Sequence, residues 1–393
     1  YLLPLSQLVD ANDDEPQALV VTPGRELALQ SATVLKNMGS GLRAMACYGG
    51  RATMDEHRMM KQVRPQIVFG TPGRLNDHLD KGNLSPYHIK YLVIDEFDKC
   101  LEMGFQDEMS RLIGSLPGLR RHFLLSATEA EEIPRFVHMG RVDKIDYRMD
   151  EEQVPDRVHI YKVESPVKDK LESLSQLLRS LGDASSIVFL NYRDSVERTN
   201  NYLVEQGFST AYFHGGMEQK EREAALYRFS NGSANILVST DLASRGLDIP
   251  DIDNIIHYHL PESEDGYIHR VGRTARWEAK GRAFFLLGPE EHIPDYVDAE
   301  VEGYEIPTEL PEPAKPRMAT IYIGKGKKDK ISKGDILGFL CKKGGLKSAE
   351  IGKIDVNDRY AYAAVSRQKL RSVLNQVKGE KIKGIKTIVE EVR

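Results

Sequence analysis

The strongest constraint on this chain is an alternation. Short β-rich runs at 18–22, 43–48, 66–69, 91–94 and 122–125 are separated by amphipathic stretches, each long enough for a helix. Strands joined through helices pair in parallel by right-handed crossovers, and the functional residues of such a sheet gather at the carboxyl ends of its strands. Asp95, Ser126 and Thr71 all fall at such ends. The pattern pauses in the polar stretch Met149-Asp150-Glu151-Glu152-Gln153-Val154-Pro155 and restarts with runs at 158–163, 186–190, 210–213, 236–239 and 254–258. An α/β architecture of two parallel-sheet domains in tandem is expected, at 1–148 and 149–306. Four prolines in the ten residues from Pro307 to Pro316 then favour an extended, semi-rigid spacer, 307–317, that separates this body from a last module. The module, 318–393, reads β-α-β-β-α-β. Its strands are expected at 319–324, 351–356, 360–365 and 387–392, and its helices at 334–342 and 368–377.

A chain of 393 residues can bury about three cores of ordinary domain size. No apolar run approaches the ~20 residues of a membrane span, and Tyr1-Leu2-Leu3 lacks the basic residues and cleavage pattern of a signal peptide, so the cytoplasm is the default. Cys47, Cys100 and Cys341 show no C-x-x-C spacing and read as buried or incidental thiols. The net charge of −5 hides a division. Residues 319–393 hold 18 Lys+Arg against 8 Asp+Glu, leaving 36 against 51 for the rest. Such a basic block attracts polyanions by releasing condensed counterions, although a solvated lysine surface has the same composition.

Chemistry concentrates at three places. The apolar run Tyr91-Leu92-Val93-Ile94 ends in Asp95-Glu96-Phe97-Asp98, carboxylates of the kind that hold magnesium beside a nucleotide's phosphates. An acidic loop after any buried strand would look the same. Downstream stand Ser126-Ala127-Thr128 and then His269-Arg270-Val271-Gly272-Arg273-Thr274-Ala275-Arg276, so a metal site, a hydroxyl-bearing turn and an arginine cluster follow one another. Together they read as a nucleoside triphosphatase. No G-x-x-x-x-G-K-[ST] phosphate loop occurs.

In kind, order and spacing these elements resemble the DEAD-box RNA helicases over residues 1 to about 300, with Phe97 where the family name has alanine. Further family blocks are Pro23-Gly24-Arg25-Glu26-Leu27-Ala28, Gly49-Gly50, Thr71-Pro72-Gly73-Arg74, Gln219 with Arg222, and Ser239-Thr240-Asp241-Leu242-Ala243-Ser244-Arg245-Gly246-Leu247-Asp248. The resemblance implies two RecA-like domains that close on ATP and RNA. It places the missing loop, and the adenine-reading glutamine motif, just upstream of Tyr1. Tyr1-Leu2-Leu3-Pro4-Leu5 looks like the helix that follows the loop, so the expectation is a chain cut just after it. ATP hydrolysis is expected of the chain with that loop in place.

By resemblance, Asp95 holds Mg2+, Glu96 orients the attacking water, and Arg273 and Arg276 are arginine fingers, worth about 10³ to 10⁵ in rate. Gly246 and Asp248 meet the nucleotide, Asp248 at its ribose. His269, Asp98 and Ser126 or Thr128 form a network that couples the domains. Arg25, Gly49, Gly50, Thr71 and Arg74 on the first domain, with Gln219, Arg222, Thr240 and Arg245 on the second, are assigned to RNA backbone, so reading is largely sequence-independent. Gly24 stands where the family usually has threonine, which removes a hydroxyl that could meet phosphate.

The order of elements in the last module suits an RRM-like fold. Gly334-Asp335-Ile336-Leu337-Gly338, Ile351-Gly352-Lys353-Ile354 and Lys381-Ile382-Lys383-Gly384 resemble the RNA-binding domain of the DbpA helicases. That family uses this domain to grip a ribosomal RNA hairpin, which implies a role in large-subunit assembly. Lys325, Lys327, Lys328, Lys330, Lys342, Lys343, Lys381 and Lys383 are candidate phosphate contacts as a group. Arg359-Tyr360-Ala361-Tyr362-Ala363 partly meets the RNP1 pattern, which would have Tyr360 or Tyr362 stack on bases or simply pack in the core. The expectation is a monomeric ATP-dependent RNA helicase that locally unwinds structured RNA. The rival is an ATP-independent RNA-binding or annealing chaperone, against which Asp95, Glu96, Arg273 and Arg276 argue.

Overall fold

The computed structural model describes residues 1–50, 52–126, 134, 137, 143–145, 158–243, 252–274 and 281–392. Contacts divide the chain into two units, the first made mainly of 1–149 and the second of 150–393 apart from residues 246–248.

In the first unit β1 (Ala18–Val21), β2 (Ala44–Cys47), β3 (Ile67–Gly70), β4 (Tyr91–Ile94) and β5 (Arg121–Leu124) form a sheet of order β2-β3-β1-β4-β5, with every pairing parallel. Helices α1 (Leu2–Leu8), α2 (Arg25–Asn37), α3 (Thr53–Val63), α4 (Pro72–Asp80), α5 (Phe97–Glu102) and α6 (Gln106–Gly114) lie between or beside the strands. β1 and β3 are buried along their whole length, as strands covered on both faces must be. One core gathers Leu19, Val21, Val68, Leu92, Ile94 and Phe97, and the other gathers Val20, Phe69, Val93, Leu5 and Leu35. The even- and odd-numbered residues of each strand thus go to opposite faces.

The second unit begins with β6 (Val158–Glu164), α7 (Leu171–Leu181), β7 (Ser186–Phe189), α8 (Arg193–Glu205), β8 (Thr210–Phe213), α9 (Gln219–Ser230), β9 (Ile236–Ser239), β10 (Asn254–His257), α10 (Glu264–Val271), β11 (Gly281–Leu287) and β12 (Val301–Gly303). Its parallel sheet runs β12-β6-β11-β10-β7-β9-β8. β11 and β12 are additions to the strands read from sequence. From Ala283 to Leu287 β11 is a continuous apolar run, which periodicity alone does not separate from a buried helix. It pairs with β6 over seven residues and lies between β6 and β10, inside the sheet.

The tail is β13 (Met318–Ile323), α11 (Lys333–Lys342), β14 (Ile351–Val356), β15 (Ala361–Ser366), α12 (Leu370–Gln376), β16 (Lys381–Ile382), β17 (Ile385–Lys386) and β18 (Val389–Glu391). Its antiparallel sheet has the order β14-β15-β13-β18, with α11 and α12 packed on one face around Ile321, Ile323, Ile336, Leu340, Ala363 and Val373. The β16–β17 hairpin is a further addition. It turns through Lys383 and Gly384 at φ of 51° and 79°, the doubly left-handed turn that matches strand twist.

One spatial expectation changes, and one face that the sequence left open is seen to be covered. The proline-rich spacer does not hold the tail away from the rest. Arg179 donates to the carbonyls of Leu310 and Pro311 at 3.2 and 2.7 Å, and the Lys315 ammonium donates to the carbonyl of Gly207, so the spacer is strapped along the second unit. Nor is the tail's second sheet face open, because it rests on α9. Tyr362 is 3 % exposed and stacks on Tyr227 with ring centroids 5.1 Å apart. Tyr360 packs against the rings of Tyr322 and Tyr362 and donates to Glu223, so both candidates for stacking on bases are engaged with protein.

Candidate nucleotide and RNA sites

The acidic motif of the first unit begins where β4 ends. The Asp95 amide donates to Val21 and the Phe97 amide to Leu125, so neighbouring strands fix both ends of the turn. Between them Glu96 takes φ of 48°, a left-handed conformation uncommon for a residue with a Cβ, and its amide donates to Asp95 Oδ1 at 3.0 Å. Phe97 is 1 % exposed and packs with Leu92, Ile94 and Cys100, which anchors α5 from its first residue. Burial, more than any neighbour, pushes the Asp95 carboxyl above its usual range. Burial also raises the Cys100 thiol, reinforced by Glu96 and Asp95. Asp98 accepts from the Lys99 amide, and Ser126 stands just beyond β5. Thr128 lies outside the described residues.

Three RNA-assigned loops follow β1, β2 and β3. Thr22 is fully buried and its hydroxyl donates to the Gly24 carbonyl at 3.0 Å, so it does not stand in for the hydroxyl that Gly24 lacks. Arg25 opens α2. Gly50 sits at φ of 94°, a conformation that suits glycine alone. Thr71 caps α4 by its backbone only, with Pro72 behind it.

Arg74 is held more tightly than a phosphate contact requires. Its guanidinium lies 3.3 Å from Glu56, donates to the Tyr48 carbonyl at 3.1 Å and to Asp77 at 3.4 Å, and its side chain is 11 % exposed. The hub of this network is a residue the sequence did not single out. Glu56 on α3 is 1 % exposed, accepts from the Tyr48 amide at 3.1 Å and pairs with His78 Nε2 at 2.8 Å. Asn83 lies 3.3 Å from Nδ1 of His78 and can donate to it, which leaves Nε2 as the donor to Glu56. Cys47, Glu56 and His78 have donor atoms within 4.8 Å of one another. With Arg74 beside the carboxylate and both oxygens engaged, this cluster is a brace between the Gly49-Gly50 loop and α4. In the sequence Glu56 is one of two adjacent acids, and nothing marks which is buried.

In the second unit Gln219 opens α9 behind a capping box formed by Glu218 and Glu221. Gln219 Nε2 donates to Glu223 Oε1 at 3.2 Å. Arg222 is 5 % exposed, donates to the Gly215 carbonyl at 2.9 Å and lies over the Phe213 ring. Thr240 follows β9 and its amide donates to Phe213. His269 Nδ1 faces the Asp265 carbonyl oxygen at 2.9 Å on its own helix. Arg270, assigned no role from sequence, is fully buried. It makes a two-pronged pair with Asp241, at 2.5 and 3.1 Å, and donates to the His259 carbonyl at 2.7 Å and Asn191 Oδ1 at 2.8 Å. It thereby ties the turn after β9 to α10, just before Arg273. Arg245, Gly246, Asp248 and Arg276 lie outside the described residues.

On the tail, Lys383 pairs with Asp335 at 2.9 Å and donates to the Lys330 carbonyl, Lys343 pairs with Glu380 and Lys325 with Asp329. Lys327, Lys328 and Lys330 form the turn between β13 and α11, Lys342 ends α11 and Lys381 is exposed on β16.

Two parallel sheets with an acidic turn on one and an arginine motif on the other are the frame of a nucleotide-driven motor, and comparison with known proteins gives its class. The DEAD/DEAH box helicase profile matches residues 1–136, the helicase conserved C-terminal domain residues 169–278, and the DbpA RNA-binding domain residues 320–391. The chain is 35 % identical to the ATP-dependent RNA helicase DbpA of Escherichia coli over 392 residues, 97 % of this chain and 85 % of that one. It is 31 % identical to DbpA of Bacillus subtilis over 97 % of this chain and 86 % of the relative. Among solved structures, S. cerevisiae Dbp5 bound to RNA and ADP BeF3 superposes with a TM-score of 0.66 at 25 % identity, over 77 % of this chain and 81 % of that one. The chain belongs to the DEAD-box ATP-dependent RNA helicases, as two RecA-like domains followed by a DbpA RNA-binding domain.

Proposed function

We propose that this helicase remodels structured ribosomal RNA during large-subunit assembly, and that its tail selects the RNA on which the motor acts. The observation that carries this reading is the tail itself. Residues 319–393, which match the DbpA RNA-binding profile over 320–391, hold a surplus of ten positive charges on a chain that is otherwise acidic. Counterion release from such a domain supports affinity for a folded polyanion.

Within the motor, Asp95 and Glu96 are the catalytic carboxylates. Asp95 is half-buried and its carboxyl is raised by desolvation, a donor that gains from a divalent cation and so fits Mg2+. Bound there, Mg2+ would neutralise phosphate charge. Glu96, turned by its left-handed backbone, orients the attacking water, and Arg273 brings positive charge to the triphosphate. The loops at Gly49-Gly50 and Thr71, with Gln219 and Arg222, contact RNA backbone.

RNA-stimulated ATP hydrolysis tests both parts, measured with a ribosomal hairpin fragment and with random RNA of equal length. The proposal expects the hairpin to stimulate at lower concentration, and removal of residues 317–393 to abolish that preference while leaving stimulation by random RNA. Equal stimulation by both RNAs in the intact protein would refute the ribosomal role. Glu96→Gln should abolish hydrolysis and spare RNA binding.

A further inference from the structure

The tail sheet has two faces with different duties. Ile321 and Ile323 of β13, with Ala361, Ala363 and Val365 of β15, enter the tail's core, while Thr320, Tyr322 and Tyr362 point the other way. That second face covers α9. Besides the Tyr362–Tyr227 stack, Tyr227 donates to the Lys353 carbonyl at 2.5 Å, Asn231 donates to Thr320 at 2.9 Å, and the Lys220 ammonium sits 5.2 Å from the Tyr322 ring centre. The Tyr362 hydroxyl is pushed up to about 12 by its burial there.

At the end of α9 nearest the RNA-assigned residues, the contact becomes a relay. The Tyr360 hydroxyl donates to Glu223 Oε2 at 2.6 Å, and the other oxygen of the same carboxylate accepts from Gln219 at 3.2 Å. A glutamate one turn along a helix from a glutamine samples several rotamers when nothing else holds it, and the bond between them is weak. A charge-assisted hydrogen bond from a ring fixed in a packed domain selects one of those rotamers. It also draws charge away from a carboxylate next to the proposed phosphate path.

We propose that Tyr360 and Glu223 are positioning residues through which the docked tail orients Gln219 for RNA. The proposal rests on the RNA-contact reading of Gln219 given above. Single-stranded RNA then binds the motor more tightly because the tail is docked, by a route separate from the tail's own grip on structured RNA. Base stacking on Tyr362 is excluded while the face is docked.

The test is fluorescence anisotropy of a labelled oligouridylate, too short to fold, with the full-length protein and three variants: Tyr360→Phe, Gln219→Ala and the pair. Tyr360→Phe keeps the ring and its packing against Tyr322 and Tyr362, 5.7 and 5.3 Å between centroids, and removes only the hydroxyl. It should weaken RNA binding about three- to tenfold, the factor that part of one charge-assisted hydrogen bond is worth. The half-saturating RNA concentration in ATP hydrolysis should rise by the same factor, with kcat unchanged. In the Gln219→Ala background the Tyr360→Phe effect should vanish. An equal effect in both backgrounds would mean that Tyr360 acts through folding and would overturn the relay, as would an unchanged affinity in Tyr360→Phe. If Gln219→Ala itself leaves affinity unchanged, the RNA-contact reading fails and the relay fails with it.

Discussion

The Glu56 brace makes the sharpest prediction about the first unit. Glu56→Gln preserves volume and an acceptor for the Tyr48 amide, but it removes the charge that faces Arg74 at 3.3 Å and His78 at 2.8 Å. At an effective dielectric constant of about 20, a unit pair at that separation is worth about 5 kcal/mol before desolvation is counted. Removing one partner of a buried pair typically costs about 3–5 kcal/mol, because the other charge stays buried. Arg74 keeps Asp77 and the Tyr48 carbonyl, which places the expected loss at the lower end, about 3 kcal/mol. For a unit of roughly 150 residues this is a fall of about 6–12 °C in its melting temperature. The assay is thermal unfolding read by hydrogen exchange at the amides of β2 and β3, which reports the first unit and not the rest. The variant should also raise the RNA concentration needed for half-maximal ATP hydrolysis, because the Gly49-Gly50 loop loses its support. A shift under about 2 °C would refute the argument, since a buried carboxylate with these partners cannot lose its charge that cheaply.

Other expectations follow from the second unit. Arg270→Lys keeps the charge and loses the two-pronged pair with Asp241, together with donors to His259 and Asn191, so it should cost about 2–4 kcal/mol of stability in urea unfolding. An unchanged urea midpoint would show that the network is not structural. Tyr227→Phe removes the hydrogen bond to Lys353 and should loosen tail docking by about 1 kcal/mol, seen as faster exchange of β15 amides while the tail core stays protected. Asp335 gives a pH dependence. Bonds from Ser332, then from Lys383, lower its carboxyl from 3.8 to about 2. The charged form is therefore favoured by folding, and its contribution is complete above pH about 4 and fades as pH falls towards 2. Tail unfolding followed between pH 5 and 2 should be flatter in Asp335→Asn than in the parent, and identical slopes would contradict the pairing.

Much of the fold was legible because strand and helix periods are local properties. The alternation specified two parallel sheets, and placed Asp95, Ser126 and Thr71 at strand ends, where the structure has them. What escaped was of three kinds. β11 has no alternation to reveal it, since both of its faces are covered. The β16–β17 hairpin pairs only two residues a side, too few for any period to show, and its Lys383-Gly384 turn is recognisable only by its dihedrals. Glu56 and Arg270 depend on which of several charged neighbours is buried, a property of packing across 22 and 29 residues of sequence. The tyrosines of the tail are an intermediate case. Their alternation with core residues announced a two-faced strand, but it left open what would cover the second face.

The strap from Pro307 to Pro316 bears on how such a helicase could be rewired. With Arg179 gripping it near the middle, Lys315 pinning its end, and the tail seated on α9, the module has no search volume around its tether. The gain in effective concentration that a flexible linker gives two binding modules is replaced here by a fixed bearing, so an RNA held by the tail meets the second unit in one orientation. Specificity in this architecture is consequently not portable by a linker alone. Grafting the tail onto another motor would transfer its affinity for RNA, but the angle of delivery would follow only if the acceptor's helix also carried the counterparts of Tyr227, Asn231 and Glu223.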